Sequence, residues 1–240
     1  MAGEGARFQA QGYTFPKPLI EIKKTPLIQI VAHNITPRED HRFTFICRKV
    51  HYDQYALQDF FDQIAAGCSI VQVFKPTAGA ACTVLLACEH FHNDQEMLIV
   101  NGDQYIEADI NHFLEDARTR QLDGSIMTFP TNHPKWSYAK VDNLGYVTQV
   151  AEKRPISRHA TVGIYYYRTG RMFFDAATAM IQKNIRVGDE FYVCPAYNET
   201  IAAGLRVGIY EIPAEAMHGL GTPEDLQEFE KSEACRNLRI

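Results

Sequence analysis

The sequence predicts an α/β protein with a mostly parallel central sheet and an added antiparallel β region. Two observations lead to this fold class. Through the first half of the chain, short apolar runs alternate with longer stretches of helical periodicity, which is the pattern of βαβ units. Over residues 125–167 the pattern changes to strands joined by short turns, such as Asp142-Asn143-Leu144-Gly145, which favours antiparallel pairing.

Each element is assigned from its own periodicity. The predicted strands cover residues 43–47, 69–74, 97–101, 125–129, 138–142, 146–152, 160–167 and 205–212. The predicted helices cover residues 26–35, 53–65, 79–91, 108–118, 171–182, 189–204 and 223–233. No repeat, low-complexity tract or linker interrupts this series, and 240 residues with 46% hydrophobic composition suffice for a sizeable core. We therefore expect a single domain over residues 1–240.

Composition excludes several classes of partner. The net charge of −5 and the pI of about 6.0 argue against nucleic-acid binding, which usually needs a basic surplus. No apolar run approaches the roughly 18 residues that a membrane helix needs, and no leader segment is recognisable, so we expect a cytoplasmic protein. The cysteines form no CxxC pair and are expected to be free thiols, without a zinc site: Cys47, Cys68, Cys82, Cys88, Cys194 and Cys235.

The first eighteen residues carry the chemistry of phosphate binding. Gly3 and Gly5 allow backbone N–H groups to approach a phosphate closely, and Arg7 offers a planar fork of donors. Lys17 adds a compact charge between two prolines that stiffen the backbone. The segment matches neither GxGxxG nor a Walker A loop, and the structural alternative is an ordinary glycine-containing N-terminus. We interpret it as a triphosphate cradle in which Arg7 and Lys17 are the catalytic cations.

A second motif follows a predicted strand. Asn101-Gly102-Asp103 comes directly after Leu98-Ile99-Val100, and open parallel sheets bind ligands beyond the carboxyl ends of their strands. An aspartate at this point is suited to Mg²⁺, which prefers hard oxygen ligands and bridges to phosphates. The alternative is a turn aspartate that hydrogen-bonds its own backbone.

The string GxGxRF followed by GYxxPKPLI resembles the signature of the sugar nucleotidyltransferases, the pyrophosphorylase-like family. The resemblance implies a Rossmann-like three-layer sandwich. It also implies that Ala2, Gly3 and Gly5 wrap the triphosphate and that Asn101 and Gly102 assist. In the family an apolar strand precedes this loop, and here Met1 stands at the loop itself, so the first family strand is expected to be missing.

The same resemblance makes Asp103 a ligand of Mg²⁺ or Mn²⁺. The family's second metal-binding aspartate stands in a D-x-G-T string, and the matching residues here are Gly219-Leu220-Gly221-Thr222, which lack it. Thr222 and Asp225 form a capping-box pattern, which favours a cap over a metal ligand for Asp225. The alternatives for the second ligand stay open: Asp189, Glu190, Glu199, His218, or the phosphates and water alone.

Two further segments resemble family substrate sites. The string Glu152-Lys153-Arg154-Pro155 resembles the family's EKP string, which implies that Lys153 binds the acceptor phosphate, Glu152 contacts the acceptor hydroxyls and Arg154 adds a donor. The segment 75–81 resembles the base-recognition loop, with Lys75, Thr77, Gly79 and Ala80 near the nucleobase. Lys75 stands where uridine- or thymidine-specific members often have glutamine, which argues against a strict thymidylyltransferase and leaves cytidine and guanosine triphosphates open.

Aromatic residues offer an apolar platform to a sugar. Trp136 and the stretch 191–198, with Tyr197 and Asn198 in particular, are therefore candidates for lining an acceptor pocket, although such residues more often belong to the core. His112, His133 and His159 belong to no recognisable catalytic or metal-binding motif and are expected to be surface or core histidines.

The predicted reaction transfers a nucleoside monophosphate from a nucleoside triphosphate to a sugar phosphate or another small phosphorylated metabolite, with release of pyrophosphate. Residues 1–120 would mainly bind the nucleotide and residues 121–240 mainly the acceptor, and family analogy suggests a precursor of surface polysaccharide. One alternative is a glycosyltransferase on a related fold, although no DxD motif occurs. The other is an inactive, nucleotide-sensing relative. The sequence leaves homo-oligomerisation open.

Overall fold

The computed structural model describes residues 6–238, with side chains from residue 7 onward. Contacts divide the chain into two compact units. The first comprises the described parts of 1–74, 101–110 and 215–240, and the second comprises 75–100 and 111–214. These units differ from the predicted halves at residue 120, because pairing between the strands Gln104–Ile106 and Met217–Gly219 joins two distant segments in the first unit.

The first unit is built from short strands and helices. Its strands are β1 (Glu21–Ile22), β2 (Thr25–Pro26), β3 (Thr44–Arg48), β4 (Ser69–Val73), β6 (Gln104–Ile106) and β12 (Met217–Gly219). Its helices are α1 (Ala6–Ala10), α2 (Leu27–Asn34), α3 (Lys49–Gln54), α4 (Leu57–Ile64), α10 (Pro223–Lys231) and α11 (Glu233–Asn237), with 3₁₀ turns at Lys17–Leu19 and Ala214–Ala216, the latter at the unit's edge.

An apolar cluster holds α2 and α4 of this unit to its parallel pair, β3 and β4. Ile28 of α2 and Phe45 of β3 belong to this cluster, and the Phe45 ring stacks on Phe61 of α4 with centroids 4.3 Å apart. The side-chain amide of Asn34 accepts from the backbone N–H of Ile106 and donates to its carbonyl, each at 2.8 Å. Asn34 therefore ties the end of α2 to β6, the strand that follows Asp103.

The second unit contains the larger sheet. Its strands are β5 (Met97–Val100), β7 (Gly124–Pro130), β8 (Tyr138–Val141), β9 (Val147–Ala151), β10 (His159–Tyr167) and β11 (Val207–Glu211). Its helices are α5 (Ala80–Leu85), α6 (Cys88–Phe91), α7 (Ile110–Thr119, which begins in the last residue of the first unit), α8 (Gly170–Gln182) and α9 (Ala196–Ala202).

The long strand β10 organises this sheet. It pairs antiparallel with β5, β7 and β8, while β11 pairs parallel with β7 and β9 pairs antiparallel with β8. Four of the six strands, β5, β7, β8 and β11, therefore run in the same direction, and β10 and β9 run against them. The predicted α/β class is confirmed, and so is the antiparallel region over residues 125–167.

Tyrosines form much of the core of this unit. Tyr138, Tyr166, Tyr167 and Tyr197 are almost fully buried, and the rings of Tyr167 and Tyr197 stack with centroids 4.6 Å apart. Buried phenols usually have a hydrogen-bond partner for the hydroxyl, and Tyr197 donates to the carbonyls of Tyr166 and Ser125 at 2.8 and 3.1 Å. The α9 helix is thereby fixed to β10 and β7.

All eight predicted strands are present, but three predicted helices differ. The helix expected over 53–65 is two helices, because Ala56 takes a left-handed conformation with φ of 47° between α3 and α4. The helix expected over 79–91 is likewise divided into α5 and α6. Only 196–202 of the predicted 189–204 is helical, because residues 190–191 hydrogen-bond to Val187 and Ala78 instead. No helix in the described part of the chain is long and apolar enough to cross a membrane.

Candidate active site

The prolines around Lys17 give that residue a fixed backbone. Pro16 has φ of −55°, and its carbonyl accepts from Leu19 N at 2.8 Å, which starts a single 3₁₀ turn at Lys17. The Lys17 ammonium then lies 2.5 Å from Asp103 Oδ2, and 5.9 Å from the centroid of the Phe8 ring. The side chain of Lys17 is only 18% exposed, so the ion pair is partly shielded from water. The structure thus joins the two charged residues that the sequence assigns to the triphosphate and to the metal.

Asp103 is held by the backbone of the segment that contains the aligned glycines. Its carbonyl accepts from Leu220 N at 2.8 Å, and this bond extends the β6–β12 ladder by one step. A Cβ placed on Gly221 would lie 3.5 Å from Asp103 Oδ2, 3.9 Å from Asp225 Oδ2 and 3.9 Å from Lys17 Nζ. Two carboxylates and one ammonium therefore surround the point where Gly221 has no side chain. We call Lys17, Asp103, Gly221 and Asp225 the carboxylate–lysine cluster.

The capping pattern at α10 is confirmed for its threonine. Thr222 Oγ1 accepts from Asp225 N at 3.1 Å, so the hydroxyl supplies the cap through the backbone of Asp225. The Asp225 carboxylate is a separate group, and it lies on the side of Gly221. The sequence favoured a cap over a metal ligand for this residue, and no signal in the string GTPEDL separates the backbone role from the side-chain role.

Three of the other candidates for a second metal ligand have side-chain partners of their own. His218 Nε2 lies 2.8 Å from Glu107 Oε1, and Lys183 Nζ lies 2.5 Å from Glu199 Oε2. The Tyr192 hydroxyl donates to Glu190, and the carbonyl of Asp189 accepts from Arg186. Among the residues that the structure describes, no three His, Cys, Asp or Glu side chains gather as a metal cage.

A site with two carboxylates still fits Mg²⁺. This ion usually keeps several waters and binds through one or two carboxylates plus substrate phosphates, and it rarely occupies an all-protein cage. Asp103 and Asp225 supply hard oxygens around one point. The residues present therefore fit an ion that arrives with a triphosphate.

The structure describes three of the other residues that were predicted to bind the triphosphate. Arg7 lies in α1 with an exposed side chain, while its neighbour Phe8 is buried and packs edge-on against Tyr13 at 5.2 Å. Ala2, Gly3 and Gly5 lie outside the described residues, so their assignment stays a prediction. Asn101 is exposed and Gly102 half-buried, directly before Asp103.

In the second unit, the predicted base-recognition loop has a backbone that only glycine readily adopts. Gly79 has φ of 121° and ψ of 175°, and a Cβ there would lie 2.5 Å from the backbone N and O of Phe191. Phe191 N donates to Ala78 O at 2.7 Å, and Ala81 N donates to Phe191 O at 2.9 Å. The loop is thus fixed to the segment that precedes Tyr192.

The side chains of this loop differ in hydrogen bonding and in exposure to solvent. The Thr77 hydroxyl hydrogen-bonds to Gly79 O at 3.0 Å and to the Thr83 hydroxyl at 2.6 Å. Lys75 and Ala80 are exposed. Thr77 therefore holds the loop's shape, and Lys75 is the loop's exposed charged group.

The predicted acceptor residues belong to a hydrogen-bonded group in the second unit. Lys153 Nζ donates to the Tyr192 hydroxyl at 2.6 Å and lies 4.6 Å from the ring centroid, and that hydroxyl donates in turn to Glu190. The Ser137 hydroxyl donates to Glu152. We call Ser137, Glu152, Lys153, Glu190 and Tyr192 the acceptor cluster; Arg154, next in sequence, is exposed.

Lys153 has an unusual backbone. Its φ is 53°, in the left-handed region that L-residues seldom adopt outside functional or tightly constrained positions. Its N–H donates to Trp136 O at 3.1 Å, which holds this conformation at the end of β9. The strand end therefore turns its lysine toward Tyr192 instead of continuing the ladder.

The titration of this cluster follows from its contacts. The hydrogen bond to Tyr192 raises the pKa of Lys153, so the ammonium stays charged at neutral pH. Burial raises the pKa of Glu152, partly offset by the Ser137 hydrogen bond and by Lys153. Burial also raises the pKa of Tyr192, which therefore stays a neutral donor.

Two predicted acceptor residues are structural instead. Tyr197 is fully buried and its hydroxyl is used by two backbone carbonyls, so it lies in the core and the prediction of an acceptor role is wrong. The amide of Asn198 accepts from Val150 N at 2.9 Å and donates to Val150 O at 3.0 Å, which secures the edge of β9. Trp136 is half-buried, with its ring edge-on to Phe129, and its carbonyl supports Lys153.

Sequence reasoning missed Ser137. Ser137 precedes Tyr138, which pairs with Ala151, so Ser137 stands beside Glu152 at the end of the β8–β9 hairpin. Pairing residues outward from the predicted turn at 142–145 would place Ser137 close to Glu152. A bulge near Lys140 shifts the register of the β8–β9 pair, so the sequence alone does not give the exact pairing.

Comparison with known proteins gives the context of this geometry. The fold is similar to the nucleoside-diphosphate-sugar pyrophosphorylase from Vibrio cholerae RC9, with a TM-score of 0.81, 24% identity, and coverage of 96% of this chain and 98% of that one. It is also similar to a putative glucose-1-phosphate thymidylyltransferase from Bacillus anthracis, with a TM-score of 0.76, 20% identity, and coverage of 100% and 94%.

A third similar structure is the inositol-1-phosphate CTP transferase from T. maritima, with a TM-score of 0.75, 11% identity, and coverage of 100% and 95%. At these identities the likeness concerns the fold, and it confirms the predicted Rossmann-like class. No curated protein matches the chain. The family described as "Nucleotidyl transferase" matches residues 1–203, and the chain therefore belongs to the nucleotidyl transferase family and is an enzyme of that class.

Proposed function

We propose that this nucleotidyltransferase moves a nucleoside monophosphate from a nucleoside triphosphate to the phosphate of a sugar phosphate or another small phosphorylated metabolite. An oxygen of the acceptor phosphate attacks the α-phosphorus, the bond from that phosphorus to the bridging oxygen breaks, and pyrophosphate leaves. The observation that carries the proposal is the carboxylate–lysine cluster, in which the Lys17 ammonium lies 2.5 Å from the Asp103 carboxylate.

Charge explains why this cluster suits a triphosphate. Phosphoryl-type transfer needs little covalent participation by the protein, and positioning and charge neutralisation provide most of the catalysis. Lys17 supplies a shielded ammonium, and Arg7 supplies a guanidinium whose planar donors match phosphate oxygens. When bound, Mg²⁺ (or Mn²⁺) would offset phosphate charge, held by Asp103.

The acceptor cluster supports a phosphorylated acceptor. Lys153 stays protonated because Tyr192 raises its pKa, and a compact ammonium of this kind is suited to a phosphate dianion. Glu152, beside it in the chain, is suited to accept hydrogen bonds from hydroxyls of a sugar or polyol. The exposed Arg154 offers a second phosphate donor.

The fold neighbours described above include proteins named for sugar phosphates and for inositol phosphate, with different nucleobases. They support a small phosphorylated acceptor without selecting one. Family analogy extends this to a role in making precursors of surface polysaccharide. A cytoplasmic location and a homo-oligomeric state stay predictions.

A pyrophosphate-release assay tests the proposal. The purified protein with Mg²⁺ is given each of the four ribonucleoside triphosphates and thymidine triphosphate, paired with a panel of sugar 1-phosphates and polyol phosphates. We expect release that depends on one triphosphate and one acceptor class. Tight nucleotide binding in a separate binding measurement, without release for any pair, would contradict transfer and favour a nucleotide sensor. Consumption of a nucleotide sugar supplied in place of the triphosphate would favour a glycosyltransferase.

A further inference from the structure

A cavity of about 360 Å³ lies in the second unit, at the edge of the larger sheet where β5, β7 and β11 begin. Its lining residues stand just outside those strands. Glu96 precedes β5, Leu122 lies two residues before β7, and Arg206 precedes β11, while Arg168 directly follows the end of β10. The cavity is therefore built from the ends of four strands.

The register of the sheet brings these ends together. Met97 and Gly124 both pair with Tyr167, and Gly124 also pairs with Val207, so the four strands share one row of residues at this edge. Each lining residue at a strand end stands one or two positions beyond that row. Hydrogen-bonded strands lie about 4.8 Å apart, so side chains from these positions can reach one small ligand.

The acceptor cluster lies at the other end of β10. The carbonyl of Ser137, a member of that cluster, accepts from Thr161 N at 2.8 Å. Arg168 stands seven positions after Thr161. At about 3.3 Å per residue, the strand places the cavity roughly 20 Å from the acceptor cluster. A ligand of this cavity is thus separate from the proposed acceptor.

Three arginines line the cavity, and two of them are held by carboxylates. Arg118 Nε lies 3.0 Å from both carboxylate oxygens of Glu96. Arg168 Nη2 lies 2.6 Å from Asp123 Oδ1, and the Asp123 carboxylate is almost fully buried. These ion pairs fix the two guanidinium groups at the rim, and the half-exposed Arg168 keeps further N–H donors for a ligand.

The third arginine has no acid of its own. The backbone N–H of Arg206 donates to Asp123 Oδ2 at 2.8 Å, which anchors its backbone beside the Arg168 ion pair. Among the residues that the structure describes, none pairs with the exposed Arg206 guanidinium. Three guanidinium groups against two carboxylates leave the cavity with one excess positive charge.

The carboxylates are already satisfied, so they do not cancel this charge. Glu96 accepts from Arg118 and also from the Tyr166 hydroxyl, at 2.8 Å. Asp123 accepts from Arg206 N and is paired with Arg168. The buried Leu122 adds an apolar surface to the lining.

We propose that this cavity binds a small anion with a phosphate group, through the guanidinium groups of Arg206 and Arg168. The planar fork of arginine matches phosphate oxygens, and charge-assisted hydrogen bonds of this kind are among the stronger ones. The volume is at the lower end of the range for small-molecule sites, which suits pyrophosphate or a small phosphate ester. The proposal uses no residue of the carboxylate–lysine cluster or the acceptor cluster, so it does not depend on the proposed function.

Equilibrium dialysis with labelled pyrophosphate, at low salt and without divalent cations, tests the site. The full-length Lys17→Met protein is used, because this substitution removes the ammonium that would bind pyrophosphate in the carboxylate–lysine cluster. We expect it to bind one pyrophosphate per chain. Adding Arg206→Gln should weaken that binding roughly 10–100-fold, because charge-assisted hydrogen bonds are lost.

Arg171→Gln in the same background is the matched control. It removes the same charge from an exposed arginine of the second unit, which pairs with the exposed Asp94 at 3.3 Å and does not line the cavity. Pyrophosphate affinity should stay within about twofold of that of Lys17→Met. Equal weakening by Arg171→Gln and Arg206→Gln would overturn the proposal, since it would indicate attraction to net charge alone.

Competing anions identify the ligand class. Stronger displacement of the label by a sugar 1-phosphate than by inorganic phosphate would support a phosphate ester, and the reverse would support a free phosphate. Displacement by chloride at the same ionic strength, as strong as that by either phosphate, would overturn phosphate recognition.

A second measurement needs no substitution in the cavity. Phenylglyoxal modifies accessible arginines, and mass spectrometry locates the modified residues. Pyrophosphate should protect Arg206 and leave Arg171 as reactive as before, and unchanged reactivity of Arg206 would overturn the proposal. If wild-type protein binds pyrophosphate but Lys17→Met binds none, the anion occupies only the carboxylate–lysine cluster; that result would overturn the cavity site and leave the proposed function intact.

Discussion

Gly79→Ala is the substitution with the clearest structural prediction. The φ and ψ of Gly79, 121° and 175°, lie in a region that is essentially restricted to glycine, and occupying it with another residue costs about 1–3 kcal/mol. A Cβ would also lie 2.5 Å from the backbone of Phe191, so the loop must move away. That movement breaks the hydrogen bonds between Phe191 and the backbone of Ala78 and Ala81, each worth about 0.5–1.5 kcal/mol.

The combined effect is a loss of roughly 2–6 kcal/mol of folding free energy, which for a protein of this size corresponds to about 4–24 °C in Tm. Thermal unfolding followed by circular dichroism measures it. Gly188→Ala is the matched control, since Gly188 has φ of 60° and, among the described residues, no atom comes within 4 Å of its Cβ position. It should pay only about 1–2 kcal/mol for its left-handed backbone. If the Tm of Gly79→Ala equals that of Gly188→Ala, the close approach to Phe191 does not constrain the loop.

Three further predictions concern catalysis, pH and the core. Arg7→Ala should lower kcat far more than it raises KM for the triphosphate, because its guanidinium acts on charge that develops in the transition state. Tyr192 raises the pKa of Lys153, so the KM for the acceptor should stay constant into the alkaline range and rise only when the pH passes that raised pKa. In Tyr192→Phe the pKa of Lys153 is no longer raised by this hydrogen bond, and the rise in KM should occur at lower pH. Tyr197→Phe should destabilise the protein by about 1–2 kcal/mol, since two backbone carbonyls lose a donor, with acceptor KM unchanged.

A specific outcome would contradict each of these three predictions. Unchanged turnover in Arg7→Ala would remove this residue from the reaction. An identical pH profile of acceptor KM in Tyr192→Phe would mean that Lys153 does not bind the acceptor. A large rise in acceptor KM for Tyr197→Phe, with no loss of Tm, would restore the acceptor role that the core position of Tyr197 argues against.

Periodicity predicted the sheet well because strands in a buried sheet have distinctive apolar runs. The run ATVGIYYY, for example, is nearly all buried in β10. Whether a helix continues was harder to predict, because the backbone conformation of one residue can end it, as the left-handed conformation of Ala56 does between α3 and α4. The stretch 189–204 has helical periodicity but begins with a segment whose backbone binds Ala78, and such long-range hydrogen bonds leave no local pattern.

The charged residues of the candidate site were named from the sequence, and their partners in the fold were not. Lys17 and Asp103 were identified from separate motifs 86 positions apart, and only the fold shows them in an ion pair. Tyr197 was misassigned because an aromatic residue beside a proline suits a pocket and a core equally well, and burial decides between them.

The central claim is that the nucleotide is transferred directly at the α-phosphorus by a site that includes Lys17. Parallel reactions with an α-labelled and a γ-labelled triphosphate, once the active substrate pair is known, measure this most directly. We predict that the α-label appears in a nucleotide-linked acceptor and the γ-label in pyrophosphate, in equal amounts, only when the acceptor is present, and that Lys17→Met abolishes both. Release of labelled nucleoside monophosphate without acceptor, or full transfer by Lys17→Met, would contradict the account.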